Sequence, residues 1–102
     1  MAMSYRIVFT PEARNQLDDL HAYISTAADV ETASRFTDGI IDHIAALNEF
    51  PKRGTPRDDL RPGLRTLAWR HRVTIAFMVE EIDVVVIGIF YGGRDFESLL
   101  EG

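Results

Sequence analysis

The chain contains no cysteine. Disulfides, thiolate metal sites and a cysteine nucleophile are therefore excluded together, and the composition fits a reducing compartment. No apolar run approaches the roughly 20 residues of a membrane-spanning helix, so no membrane partner is expected. The opening residues Met1-Ala2-Met3-Ser4 lack the basic and apolar regions of a signal peptide. A cytoplasmic chain is the expectation. The second methionine makes Met1-Ala2 read as a cloning remnant, with residues 1–4 outside the folded part. Gly92-Gly93 lacks the signature of a phosphate loop and reads as a sharp turn with positive φ. His21, His43 and His71 fall on separate elements with no i, i+4 pair, so neither a metal nor a cofactor is expected. Serines and threonines have no nearby base, which leaves a nucleophilic triad without support. The acid pairs Asp18-Asp19, Asp58-Asp59 and Glu80-Glu81 each point two ways from one backbone and read as solvated.

What is present makes one ordinary globule. The 102 residues, 46% of them apolar, have room for a single core. The organising stretch runs from Pro62 to Asp95. Pro62-Gly63-Leu64-Arg65-Thr66-Leu67 turns into a strand, Arg72 to Val79 continues, Glu80-Glu81-Ile82-Asp83 turns, and Val84 to Phe90 returns. The last run has no polar side chain, as expected of a strand covered on both faces. Val73, Ile75, Phe77 and Val79 share one face by the two-residue period and should meet helices, with Thr74, Ala76 and Met78 on the other. Phe96 to Leu100 is expected as a short turn or helix on that second face.

The first half supplies the cover. Tyr5 to Phe9 reads as a strand. Thr10-Pro11-Glu12 starts a helix, with Thr as cap, Pro at the first position and Glu at the positive end of the dipole. Ala13, Leu17, Leu20 and Ile24 form its apolar stripe. Asp29 caps a second helix whose stripe is Ala33, Phe36, Ile40, Ile44 and Leu47, widened by Ile41 and Ala45. Glu31 and Arg35 are spaced for a weak surface pair. Gly39 costs about 1 kcal/mol relative to Ala, and close approach of the first helix is the expected reason. Phe50-Pro51 ends the element. Lys52 to Gly63 is a polar loop. The fold class is α+β: an N-terminal strand, an antiparallel two-helix hairpin, then a mainly antiparallel sheet of three to four strands.

Charge is uneven. Lys52, Arg53, Arg57, Arg61, Arg65, Arg70 and Arg72 stand against only Asp58 and Asp59, a local +5 that leaves −10 on the rest of a −5 chain. A basic surface this local suits a particular acidic partner better than a long phosphate backbone. Arg61, Arg65, Trp69, Arg70, Arg72, Tyr91 and Arg94 are the candidate binding residues, because Arg with aromatic side chains makes interface hot spots and also suits RNA. For Trp69, core packing is equally open. Arg94-Asp95 also fits a local ion pair.

The order of elements, Phe50-Pro51 before a loop, Pro62-Gly63-Leu64-Arg65 entering a strand and Gly93-Arg94-Asp95 after the last strand together resemble the RelE/ParE superfamily of bacterial type II toxins. The likeness spans about Tyr5 to Phe96, forms one toxin domain over residues 1–102, and lies closer to the ParE branch. It implies a cognate antitoxin. RelE-like members cut messenger RNA on the ribosome with basic side chains on the sheet and a late Tyr or His. ParE-like members inhibit DNA gyrase by binding it. Arg65 and Arg94 match basic positions of the nuclease set. The next basic position falls at Leu67, the third-strand Arg at Thr74, and the late Tyr or His at Leu99 or Leu100. Tyr91 stands where many ParE-like chains have His, and Gly93 replaces the first Arg of their motif.

RNA cleavage needs a general base, a general acid and cations for the phosphorane. If the chain is a nuclease, Arg65, Arg94 and Tyr91 carry it, but Arg supplies charge only and a Tyr with a pKa near 10 needs heavy tuning. A binding inhibitor is therefore favoured over a ribosome-dependent nuclease acting on messenger RNA. A family member that only binds its antitoxin is the third reading. A dimer or a toxin–antitoxin hetero-oligomer is the expected assembly.

Overall fold

The computed structural model describes residues 4–92. Phe96 to Leu100, expected to cover the second face, and the Arg94-Asp95 pair lie outside the described residues. Strand β1 (Arg6–Phe9) leads into helices α1 (Pro11–Ala27) and α2 (Val30–Ala45), followed by a 3-10 turn, Ala46–Asn48. Strands β2 (Thr55–Pro56), β3 (Leu64–Trp69), β4 (Val73–Glu80) and β5 (Asp83–Tyr91) complete an α+β fold. The sheet order is β1-β5-β4-β3-β2, antiparallel except for the parallel β1–β5 pair.

Five strands form where the sequence pattern suggests three or four. The additional one is β2, inside the segment expected as an irregular loop, pairing Thr55 with Thr66 and Pro56 with Arg65. A two-residue edge strand carrying proline has no alternation to betray it, and the edge tolerates the missing donor. β1 is fixed against β5 by register, Arg6 opposite Asp83, and by the ion pair between the same two side chains at 2.8 Å.

Both helices start as their caps dictate. Thr10 Oγ1 accepts from the Ala13 N–H at 3.2 Å, and an Asp29 carboxylate oxygen accepts from Thr32 N–H at 2.6 Å. That bond holds the Asp29 carboxyl below the usual carboxylate value, with a smaller contribution from nearby Arg35. His21 on α1 and Ser34 on α2 meet at 3.1 Å across the hairpin. The widening of the α2 stripe fails: Ile41 and Ala45 are exposed. Thr37 is buried instead, one turn after Ala33, and its hydroxyl donates to the Ala33 carbonyl at 3.1 Å, which removes the cost of burying it.

The main core lies between the helix hairpin and one sheet face. Leu20, Ile24, Ile40, Ile44 and Leu47 meet Val73, Ile75, Phe77, Val84 and Val86 there. The face assignment of β4 is as the period predicts, since Ala76 and Met78 belong to the opposite cluster with Leu64, Phe90, Leu60 and Ile87. β5 carries a bulge near Ile87, where the pairing to β4 shifts register. Gly39 answers to the sheet, not to the first helix: a Cβ there would lie 2.6 Å from Cζ2 of Trp69 on β3.

Candidate functional site

β1 pairs β5 only as far as Val86. Beyond it, the Ile89 N–H donates to Gln16 Oε1 of α1 at 2.7 Å, so a side chain takes over where the strand stops. Above this edge the ends of α1, α2, β3 and β5 converge, and four aromatic rings form a row. Tyr23 and Tyr91 have centroids 6.1 Å apart, Tyr91 and Phe36 5.9 Å, and Phe36 and Trp69 4.7 Å with planes at 87°. Offset and edge-on geometries of this kind are the attractive ones for aromatic quadrupoles. The row grades from the buried Trp69, 7% exposed, to Tyr23 at 61%. Arg70 closes it, its guanidinium carbon 4.6 Å from the Trp69 ring centroid.

The turn that places Arg70 is strained. Arg70 and His71 both have positive φ, 51° and 56°, and the Arg72 N–H donates to the Trp69 carbonyl at 3.1 Å. This is a type I′ turn, which Asn-Gly would fill without steric cost. A side chain in the left-handed region costs roughly 1–2 kcal/mol. His71→Gly should therefore raise stability by about 1 kcal/mol, measured by urea unfolding. Arg70→Asn should be close to neutral, because loss of the stack on Trp69, about 0.5–1 kcal/mol, offsets the relief. The Arg72 carbonyl accepts from the Gly92 N–H at 2.9 Å and ties this tip to the end of β5.

Two concavities flank the aromatic row. One, of about 310 Å³, is lined by Gln16, Asp19, Leu20, Tyr23, Ile89 and Tyr91. The other, of about 280 Å³, is lined by Thr32, Arg35, Phe36 and Arg70. Arg35 belongs to neither of the ion pairs Arg6–Asp83 and Arg57–Asp59, and the expected surface pair with Glu31 does not close. Thr32, Arg35 and Phe36 share one helix face by their i, i+3, i+4 spacing.

The structure thus brings Trp69, Arg70, Arg72 and Tyr91 together and leaves Arg61 and Arg65 elsewhere. Trp69 is core, wedged between α2 and the sheet, so of the two readings open for it the packing one holds. Arg65 shares the helix-side face with Leu67 and Trp69, and its guanidinium donates to the carbonyls of Arg53 at 3.0 Å and Lys52 at 2.8 Å. Arg61 sits in the turn before β3, where its carbonyl accepts from Leu64 N–H at 3.0 Å. Nearby, the Arg57 side chain holds the Asp59 carboxyl below its ordinary value. Arg65 stands opposite Phe77 and Tyr91 opposite Val73 on the intervening β4. Four residues along and two strands across separate them by roughly 16 Å. Arg94 lies outside the described residues.

Sequence reasoning misses Tyr23 and Arg35 as members of the site. Tyr23 follows Leu20 by three residues, at the rim of the α1 stripe, and that position is the available signal. Local spacing assigns Arg35 to Glu31, whereas the fold places it with Arg70 around the second concavity. Phe36 belongs to the core stripe of α2, yet one side of it lines a pocket.

The sequence model of the ParE toxin of the type II toxin–antitoxin system parDE matches residues 7–96. The chain belongs to the ParE toxin family. Among curated relatives, toxin ParE3 of Caulobacter vibrioides is 29% identical over 98 residues, which cover 93% of this chain and 94% of that one. Among solved structures, the chromosomal ParDE system of P. aeruginosa superposes with a TM-score of 0.77 at 20% identity, covering 87% of this chain and 97% of that one. The RelBE2 toxin–antitoxin complex of Mycobacterium tuberculosis gives 0.66 at 18% identity, covering 92% and 98%. These two likenesses concern the fold. They bear out the two-helix, mainly antiparallel architecture, and the matched family bears out the ParE side of the resemblance. Among the described residues of this ParE-family chain, no helix is long and apolar enough to cross a membrane.

Proposed function

We propose that this ParE-family toxin acts in the cytoplasm by docking onto DNA gyrase, without cutting RNA, and is neutralised by a cognate antitoxin. The observation that carries the reading is the position of Arg65. Its guanidinium is engaged by two loop carbonyls on the helix side of the sheet, and Tyr91 stands roughly 16 Å away. Cleavage needs cations presented to the developing phosphorane charge, and the Arg65 guanidinium is turned to the chain's own loop carbonyls instead. Exposed Arg70 and Arg72 with half-buried Tyr91 form an aromatic and cationic end of the kind that anchors protein interfaces. Family membership and the antitoxin-bound state of the RelBE2 relative support an antitoxin partner.

The test is direct. Purified protein at micromolar concentration should inhibit DNA supercoiling by gyrase, and the small protein encoded by the neighbouring gene should restore it. Untouched supercoiling, together with new cuts at the ribosomal A site in primer extension, would replace this reading with the nuclease one. Inactivity in both assays with intact antitoxin binding would leave a non-toxic family member.

A further inference from the structure

The pocket between α2 and the β3–β4 tip has a chemistry of its own. Two arginines, Arg35 and Arg70, line it with Thr32 and Phe36. Neither guanidinium takes part in the ion pairs Arg6–Asp83 and Arg57–Asp59. Arg35 lies close enough to act on the Asp29 carboxyl, but that carboxylate caps the helix through Thr32 N–H at 2.6 Å. Arg70 is exposed, and its position over Trp69 is maintained by the left-handed Arg70-His71 turn. Strain kept at an exposed position points to what that position presents.

We infer that this pocket receives a carboxylate from an acidic segment of a protein partner, with Arg35 and Arg70 donating to it from opposite sides. The inference rests on the reading that this toxin is bound by an antitoxin, and it names where an acidic side chain of that partner sits. Arg is suited to the role because its planar fork matches carboxylate geometry and desolvates more readily than an ammonium. The half-buried Phe36 supplies an apolar wall beside them. A protein carboxylate is favoured over a nucleic-acid backbone by the surroundings. Asp29, Glu31 and Asp38 lie on or at the start of the same helix, and the chain outside residues 52–72 carries −10. A carboxylate on a side chain can enter the pocket while its neutral backbone runs clear of those acids, whereas in a nucleic acid the charge is on the backbone itself.

The experiment is a nitrogen-15 NMR titration of the full chain with a synthetic hexaglutamate peptide, followed by calorimetry with the antitoxin from the neighbouring gene. Saturable shifts should appear at the Arg35 and Arg70 side-chain N–H groups and at the Trp69 indole. The Trp69 indole shift should vanish in Arg35→Gln/Arg70→Gln, and all three should persist in Arg53→Gln, which removes one positive charge at the far end of the sheet. The same double variant should weaken antitoxin binding at least 100-fold and flatten its salt dependence, with Tm measured to confirm the fold. An oligothymidylate of equal length shifting the same groups more tightly would overturn the inference in favour of nucleic acid. Antitoxin binding that the double variant leaves unchanged would overturn it while the antitoxin reading stands. Hexaglutamate shifts at both arginines without any antitoxin binding would support the carboxylate pocket and remove the antitoxin as its occupant.

Discussion

Trp69→Ala should remove a large fraction of the stability of this domain. Truncating a buried Trp costs about 3–5 kcal/mol, against a total of roughly 5–15 kcal/mol for a native protein. The side chain is 7% exposed, meets Phe36 edge-on and lies where any Cβ on Gly39 would collide with it. A double-mutant cycle isolates that last contact. Gly39→Ala alone gains about 1 kcal/mol of helix propensity but forces a methyl into a packed ring, which costs about 1–3 kcal/mol. The expected result is a net loss of about 1 kcal/mol. In a Trp69→Phe background the ring is smaller and the propensity gain should dominate, so Gly39→Ala becomes stabilising there. Urea unfolding of the four proteins measures the coupling, expected at about 1–2 kcal/mol. Strict additivity would mean that Gly39 is not there for the Trp69 ring.

Arg65→Ala should cost about 2 kcal/mol, as expected for loss of two hydrogen bonds from a charged donor that are partly open to water. Arg65→Lys should recover only part of this, because one ammonium cannot match a planar fork aimed at two carbonyls. The bonds hold residues 52 and 53, and with them the approach to β2, so the tip of that segment should lose amide-exchange protection. The proposed gyrase inhibition should be unchanged in the folded fraction. Full stability with lost inhibition would make Arg65 a contact residue and remove the clamp from the account.

Periodicity carries most of the fold into view. Ala13, Leu20 and Ile24, and Val73, Ile75 and Phe77, are buried on the faces their spacing assigns. What periodicity cannot show depends on residues far apart in sequence. Arg6 meets Asp83 and Gln16 meets Ile89 across more than 70 residues. Neither partner carries a local signature. The same limitation applies to the site. Trp69, Arg70, Arg72 and Tyr91 stand out for their chemistry and do lie together. Arg61 and Arg65 stand out on the same grounds and do not, because a strand delivers residues to a face without saying what loop will claim them. Arg35 and Tyr23 look like helix surface until the β3–β4 turn and β5 come to rest beside them.

The order of strands also bears on synthesis. β5 lies between β1 and β4, is the last element among the described residues, and holds α1 through the Gln16 bond. The first strand thus waits for a neighbour made more than 70 residues later, Arg6 pairing with Asp83, a contact of high order. A nascent or prematurely ended polypeptide that stops short of Asp83 has two helices and a hairpin with no central strand to join them. The sheet can therefore close only once the chain has been made through β5.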